Sequence, residues 1–183
     1  MWVFAGTANA AVPERILFPV VAKASYTDDF GAPRSGHSHR GNDIMAARWS
    51  PVVAVERGVL EKPTWARTEC MLILHGASGT DYWYLHLNND LTMSNDNKGG
   101  CTNGVSYAAG LANGQRVRGG QLIGYVGNSG NANWTNTHLH FELHPNGGGA
   151  VSPYRWLRNA RRLLFPGPTD ATKTTRLALV GRA

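Results

Sequence analysis

The sequence predicts an all-β protein with an antiparallel sheet sandwich or open barrel-like core, long loops that form a groove, and one short C-terminal helix. Two observations carry this prediction. The apolar residues fall in short, alternating or β-rich runs separated by glycine, asparagine and proline, which is the pattern of strands joined by turns. Before residue 151 no helical periodicity extends beyond about three turns, which argues against alternating strands and helices.

The predicted strands occupy residues 17–22, 52–60, 71–75, 81–87, 121–127 and 138–143. Between the fourth and fifth of these runs, the segment from Leu91 to Gly114 is rich in asparagine and glycine and predicts a long loop beside any site that the strands build. The helix is expected over Tyr154 to Leu164, where apolar residues recur at roughly helical spacing and two prolines follow.

A chain of 183 residues fits one domain, which we place at residues 16–165. Its net charge of +6 comes from the C-terminal part: residues 1–150 carry 11 basic and 11 acidic residues, whereas seven basic residues and one acidic residue follow. The basic tail, residues 166–183, is expected to attract polyanions such as an anionic wall polymer, unless it is only a solvated chain end. Because the first 150 residues are neutral, a specific nucleic-acid partner is not predicted.

Residues 1–15 are interpreted as a signal-peptide remnant or a disordered N-terminus, because an apolar stretch there ends in small residues with a candidate cleavage point between Ala10 and Ala11. We therefore expect an exported protein in the periplasm, cell wall or extracellular space. In such a compartment Cys70 and Cys101 are expected to form a disulfide that pins the loop at residues 91–110, with two unrelated free thiols as the alternative.

Three polar clusters fall at or beside predicted strands, and histidine is common to all of them. By strand alternation His138 and His140 share one face while Leu139 and Phe141 point into the core. The same alternation places His86 on the face of Tyr82 and Tyr84, and a neighbouring strand could bring His86 beside His138. The clusters are His39-Arg40-Gly41-Asn42-Asp43, Tyr84-Leu85-His86-Leu87 and His138-Leu139-His140-Phe141-Glu142-Leu143.

The first cluster supplies His39 and Asp43, four residues apart, with Gly41 between them to permit a tight backbone path. Together with a distant histidine they offer three nitrogen and oxygen ligands, which leave a fourth position for water as in a catalytic zinc site. Other divalent metals accept such ligands, but a tetrahedral site of this composition favours Zn²⁺.

These clusters, in this order, resemble the three motifs of the lysostaphin-type (LytM-type) zinc metalloendopeptidases that act on peptidoglycan. The strings 51–60, 114–127 and 150–154 also resemble segments of that family, so that the resemblance extends from about Phe18 to Leu157. It implies one zinc ion held by His39, Asp43 and His140. His86 and His138 would be the histidines that act on the water and the transition state, with their individual roles left open.

The remaining candidates are weighed against ordinary structural roles. His37, His75 and His144 are expected to be satisfied surface or core residues. Glu142 shares the face of His140 and is either a partner that orients a ligand or a solvent-exposed charge. Trp134 and Trp83 could line a groove, but packing is the more common role of such aromatic residues.

The resemblance implies a zinc endopeptidase that hydrolyses peptide bonds in the stem peptides or crosslinks of bacterial peptidoglycan. We expect it to be a monomer. The alternative is a catalytically silent wall-binding regulator of other peptidoglycan hydrolases. Because all three ligand positions and both auxiliary histidines are present, the enzyme is the preferred hypothesis.

Overall fold

The protein is described here by a computed structural model that covers residues 12–66 and 68–163. Strands dominate this part of the chain, and helix is confined to one short α-helix and one 3-10 turn. The elements are β1 (Ala24–Ser25), β2 (Pro33–Arg34), β3 (His37–Ser38), β4 (Asn42–Ala46), β5 (Pro51–Val53), β6 (Gly58–Glu61), β7 (Leu72–Gly76), β8 (Thr80–Leu85), β9 (Arg116–Val117), β10 (Leu122–Tyr125), the 3-10 turn Gly130–Ala132, β11 (His138–Pro145) and α1 (Tyr154–Asn159).

The principal sheet has seven antiparallel strands in the order β1-β4-β11-β8-β7-β6-β9. Its longest strand, β11, lies between β4 and β8, so that residues distant in sequence become direct neighbours. Two antiparallel ribbons complete the strands, β10 with β5 and β2 with β3. The predicted all-β fold with antiparallel sheets and a short helix is confirmed.

The core lies against one face of the principal sheet, where alternate residues of β8 and β11 are fully buried. Tyr82, Tyr84 and Phe141 are the largest of these side chains, and Val52 and Ile123 of the β5–β10 ribbon join the same apolar cluster. The Tyr84 hydroxyl accepts a hydrogen bond from the backbone N–H of Val55 at 3.0 Å, which satisfies its buried oxygen. This side of the sheet supplies the apolar burial that stabilises the fold.

Several predicted elements differ from the structure. Residues 17–22 form isolated bridges instead of a strand, and residues 52–60 divide between β5 and β6. The helix ends at Asn159 and not at Leu164, because Arg161 pairs with the backbone of Ile16 (N–O distance 3.1 Å) and Phe18 (N–O distance 2.9 Å). Tertiary backbone pairing therefore replaces the last predicted helical turn.

The segment 91–114 contains no named strand or helix, as predicted for a long loop. The disulfide Cys70–Cys101 joins it to a position two residues before β7, which confirms the expected pairing. Asn95 also donates a hydrogen bond to the Asn133 side chain at 2.8 Å. The loop is thereby held next to the segment that leads into β11.

The predicted signal-peptide remnant falls mainly, and the basic tail wholly, outside the described residues, as does the candidate cleavage point after Ala10. The assignment of residues 16–165 to one domain stays a prediction. Within the two described stretches, no helix is long and apolar enough to cross a membrane.

Candidate metal centre

The site is built where β4 and β11 pair side by side. Their register places His140 directly opposite Asp43 and His138 opposite Met45. Directly paired residues of antiparallel strands project from the same face, so the Asp43 carboxylate and the two imidazoles lie on the side opposite the core. The predicted common face of His138 and His140 is confirmed. Asp43 belongs to β4 itself, whereas the sequence pattern placed it before a strand.

Three donor atoms converge at this point. His39 Nε2 lies 2.8 Å from His140 Nδ1 and 3.0 Å from Asp43 Oδ1, and the latter two atoms are 3.0 Å apart. His39 and His140 are buried, and Asp43 is partly exposed. Donor atoms around a tetrahedral zinc ion with bonds of ~2.0–2.1 Å are separated by ~3.3 Å. The triangle seen here is slightly tighter, and its two imidazoles and one carboxylate fit one metal ion.

Gly41 allows the His39 segment to cross closely over β11. A Cβ atom at position 41 would overlap the backbone carbonyl of Phe141 and lie 2.9 Å from His140 Nε2. The predicted need for a glycine between the two ligand residues is confirmed, since any other residue there would displace one of them.

Two residues that the sequence reasoning did not identify orient the ligands: Asp29 orients His39, and Arg34 orients Asp43. His39 Nδ1–H donates to the Asp29 backbone carbonyl at 2.9 Å, which leaves Nε2 as the acceptor that faces the other ligands. Arg34 Nη2 donates to Asp43 Oδ2 at 2.7 Å, so that Oδ1 is the oxygen turned to the cluster. No periodic pattern marks these two residues, because both act from loop and ribbon segments.

Glu142 connects His140 to His144 behind the cluster. His140 Nε2–H donates to Glu142 Oε1 at 2.9 Å, and His144 Nε2–H donates to Oε2 at 2.6 Å. Only 5% of the Glu142 surface is exposed, so the partner role is confirmed over that of a solvent-exposed charge. This contact presents Nδ1 of His140 to the ion site.

Electrostatics within the cluster favour charged, paired groups. Burial lowers the pKa of His140, but hydrogen bonds with Asp43 and Glu142 outweigh it and raise that pKa to about 9. Burial raises the pKa of Asp43, yet hydrogen bonds from His140 and His39 hold it well below its usual range. Against the same opposing effect of burial, His140 and His144 lower the pKa of Glu142 to about 2. A metal ion at Nδ1 of His140 must therefore replace a proton.

His86 and His138 stand beside the cluster as a pair of rings. Their centroids are 5.2 Å apart, and the His86 ring is 5.8 Å from that of His140. The predicted placement of His86 with Tyr82 and Tyr84 is wrong. Strand β8 ends at Leu85, and His86 has a left-handed backbone (φ 60°) that breaks the alternation and turns its ring to the site face.

Both rings donate from Nδ1 to a backbone carbonyl. His86 Nδ1–H reaches Ser129 at 3.0 Å, and His138 Nδ1–H reaches Asn136 at 2.8 Å. His138 Nε2 lies 3.7 Å from Asp43 Oδ1, and burial lowers the pKa of His138. In both rings Nε2 is therefore a hydrogen-bond acceptor, and both rings lie next to the three candidate metal-ligand atoms.

The three remaining histidines and the two candidate groove tryptophans lie outside the cluster. His37 is exposed, His75 forms exposed ion pairs, and His144 is buried against Glu142, as expected for residues outside the site. Trp83 stacks on His144 with centroids 4.4 Å apart, in the predicted packing role. For Trp134 that prediction is wrong, since 82% of its surface is exposed.

Fold and site together define a β-sheet domain with a His/Asp/His cluster that could bind a metal ion. Residues 102–153 match the model of Peptidase family M23. The chain is 29% identical over 152 residues to the L-Ala--D-Glu endopeptidase of Bacillus subtilis (strain 168). The aligned region covers 76% of this chain and 41% of that protein. It therefore spans less than half the length of this curated relative.

Solved structures share the fold. The catalytic domain of the antimicrobial peptidase lysostaphin from Staphylococcus simulans aligns with a TM-score of 0.53 at 24% identity, covering 75% of this chain and 92% of that one. A zinc-containing peptidase from Vibrio cholerae aligns with a TM-score of 0.51 at 21% identity, covering 75% and 38%. The family-model match, the curated relative and these shared folds together confirm the predicted resemblance to the lysostaphin-type peptidases.

Proposed function

We propose that the protein is a zinc-dependent endopeptidase that hydrolyses peptide bonds of bacterial peptidoglycan. The observation that carries the proposal is the convergence of His39 Nε2, Asp43 Oδ1 and His140 Nδ1 within 3.0 Å of one another, beside two further imidazoles. The match to Peptidase family M23 and the similarity to a protein named L-Ala--D-Glu endopeptidase support the reaction and the substrate class.

His39, Asp43 and His140 would hold the zinc ion. Bound zinc lowers the pKa of a coordinated water to ~7 and polarises a carbonyl group, which makes hydroxide available at neutral pH. The three residues supply two neutral nitrogens and one negative oxygen, a donor set typical of catalytic zinc with one position open. Glu142 and Asp29 support this geometry because each accepts the N–H of a ligand histidine.

His86 and His138 would carry the proton transfers. Their Nε2 atoms are acceptors, since each Nδ1–H is already bound to a carbonyl. One ring can accept the proton of the attacking water and deliver it to the leaving amine, while the other, once protonated, can stabilise the developing oxyanion. Burial lowers the pKa of His138, which favours its neutral form at pH 7.

The substrate requires that the enzyme act outside the cytoplasm. The disulfide Cys70–Cys101 supports export, because disulfides persist in oxidising compartments. A contact between the basic tail and an anionic wall polymer remains a proposal, as does the monomeric state.

Digestion of purified peptidoglycan tests the enzyme. We expect new amino termini and shortened muropeptides with the zinc-loaded protein, their loss after chelation, and their return when zinc is added back. His39→Ala should abolish cleavage, and His37→Ala is the matched control, since this neighbouring histidine is exposed and outside the cluster. Wall binding without cleavage by the zinc-loaded protein would instead identify a silent regulator.

A further inference from the structure

One segment beside the site contacts His86 through both its backbone and a side chain. The Glu69 carbonyl accepts hydrogen bonds from the His86 backbone N–H at 3.1 Å and from Ser129 Oγ at 2.8 Å. The next carbonyl, that of Cys70, accepts from the Leu87 N–H at 3.2 Å. Residues 69–70 therefore join the chain after β8 to the loop that precedes β11, and the disulfide at Cys70 anchors them to the long loop.

The Glu69 carboxylate lies at the Nδ1 edge of the His86 ring. Oε2 is 3.3 Å from His86 Nδ1, and the Ser129 carbonyl is 3.0 Å from the same nitrogen. Both neighbours are acceptors, so the ring hydrogen resides on Nδ1 and Nε2 remains the acceptor. His138 differs, because its Nδ1 faces the Asn136 carbonyl and the Asp43 carboxylate lies on its Nε2 side.

The surrounding chain is shaped to accommodate this carboxylate. Gly130 has a left-handed backbone (φ +67°), and a Cβ atom there would overlap Glu69 Oε2 and approach its Cδ. Glu69 Oε2 is shielded from solvent and forms no geometric hydrogen bond in the described residues, so its 3.3 Å approach to His86 Nδ1 is a close charge contact. The close His86 ring and the Asn131 N–H lower the pKa of Glu69 against the opposing effect of burial, so it is ionised at neutral pH. The charged Glu69 side chain is thus surrounded by Gly130, the backbone amide of Asn131 and the His86 ring.

We propose that Glu69 is a positioning residue that holds His86 in the Nδ1–H tautomer, with Nε2 presented to the metal centre as the proton acceptor. The inference rests on the proposed function and sharpens it, because it distinguishes His86 from His138. A backbone carbonyl alone would permit the ring to rotate about its χ angles, whereas two acceptors at one nitrogen restrict both the tautomer and the ring plane.

Kinetics on a soluble muropeptide test this role in the zinc-loaded full chain. Glu69→Ala should lower kcat about 10- to 100-fold, the usual effect of removing a partner that orients a catalytic group, with KM changed less than about twofold. Glu69→Gln keeps the size and one acceptor oxygen and should recover part of this loss. Zinc content and melting temperature are measured in parallel. Glu61→Ala is the matched control, because this carboxylate contacts His75 and not His86.

A double-mutant cycle separates positioning from a general structural effect. If Glu69 acts through His86, Glu69→Ala should cause no further loss in a His86→Ala background. An equal loss in both backgrounds, or a wild-type kcat in Glu69→Ala, would overturn the proposal.

Nitrogen NMR of labelled histidine makes the test independent of catalysis. We expect the His86 Nδ1 resonance of the wild type to be that of a protonated nitrogen, and Glu69→Ala to shift it toward a tautomer average. An unchanged resonance contradicts the positioning role even if the protein cleaves peptidoglycan. A shifted resonance in a protein that cleaves nothing supports the positioning of His86 and removes the proposed function.

Discussion

The two faces of β11 are both buried, yet by different physical means. On one face Leu139, Phe141 and Leu143 have no exposed surface and pack in the apolar core. On the other, His140 and Glu142 are 7% and 5% exposed and are covered by paired polar groups. Burial alone therefore does not separate the residues that stabilise the fold from those that build the site. In β11 the odd-numbered residues face the core and the even-numbered residues face the site, because adjacent side chains project to opposite faces.

The two faces also differ in how they tolerate substitution. Truncating a buried apolar side chain lowers the free energy of unfolding, because its burial is lost and a cavity is left behind. A buried charge that loses its partner keeps its desolvation cost without compensation. On the site face each charge has more than one partner: Asp43 contacts Arg34 as well as His140, and Glu142 contacts His144 as well. The fold should thus survive the loss of one member.

The largest effect is expected for His140→Ala, on catalysis. Cleavage should fall to the level of the chelated protein, because one of three ligands is lost. The metal-free variant should still unfold cooperatively, since both carboxylates retain another partner. Peptidoglycan digestion and urea unfolding check the two halves of this prediction. Retained zinc-dependent cleavage would remove His140 from the metal centre.

The adjacent substitution Phe141→Ala should act on stability instead. Loss of a fully buried aromatic ring costs about 3–5 kcal/mol of the free energy of unfolding, measured by urea denaturation. Below its unfolding transition the variant should bind zinc with wild-type stoichiometry. Phe141→Leu is the matched control and should cost less, because it retains much of the apolar contact. If Phe141→Ala left stability unchanged, the contrast between the faces would be lost.

Glu142→Ala should weaken zinc binding about 10- to 100-fold, because His140 Nε2–H loses the acceptor that orients the ring. Competition with a chromophoric chelator measures the change. His144→Gln is the comparison variant, since His144 contacts the other oxygen of the carboxylate. A zinc affinity equal to that of the wild type in Glu142→Ala would show that the ring is oriented without this contact.

The smallest expected effect is the pH dependence of the stability that His75 contributes at the exposed end of the same sheet face. Burial opposes the charged form of His75, but hydrogen bonds to Asp81 and Glu61 outweigh it and raise the pKa of His75. Its stabilising contribution is complete below the unfolded-state pKa of ~6.5 and is lost as the pH rises through the higher folded-state value. Because the side chain is 45% exposed, solvent screening limits the contribution to under about 1 kcal/mol.

Unfolding of wild type and His75→Gln at pH 6 and pH 9 checks this prediction. The difference in free energy between the two proteins should be larger at pH 6. A larger difference at pH 9 would contradict the sign.

Local pattern was enough to predict much of this molecule. Short strands with period-two apolarity predicted the all-β fold, and the His138-x-His140 spacing placed both rings on one face because strand alternation is a local property. The resemblance of the ordered polar clusters to the lysostaphin-type motifs predicted which distant residues meet. The cysteines predicted the disulfide between Cys70 and Cys101.

Other features depend on the tertiary structure. Strand alternation placed His86 on the wrong face, because its backbone is left-handed where it donates a hydrogen bond to the Glu69 carbonyl. Asp29, Arg34 and Glu69 approach the site from loops and a two-residue strand, whose paths no periodic pattern records. The sequence by itself therefore determined the residue types, their faces within regular strands and the candidate metal ligands. Only the tertiary structure decided the partners that orient His39 and His86, because Asp29, Glu69 and Ser129 reach these rings from irregular segments whose paths depend on packing.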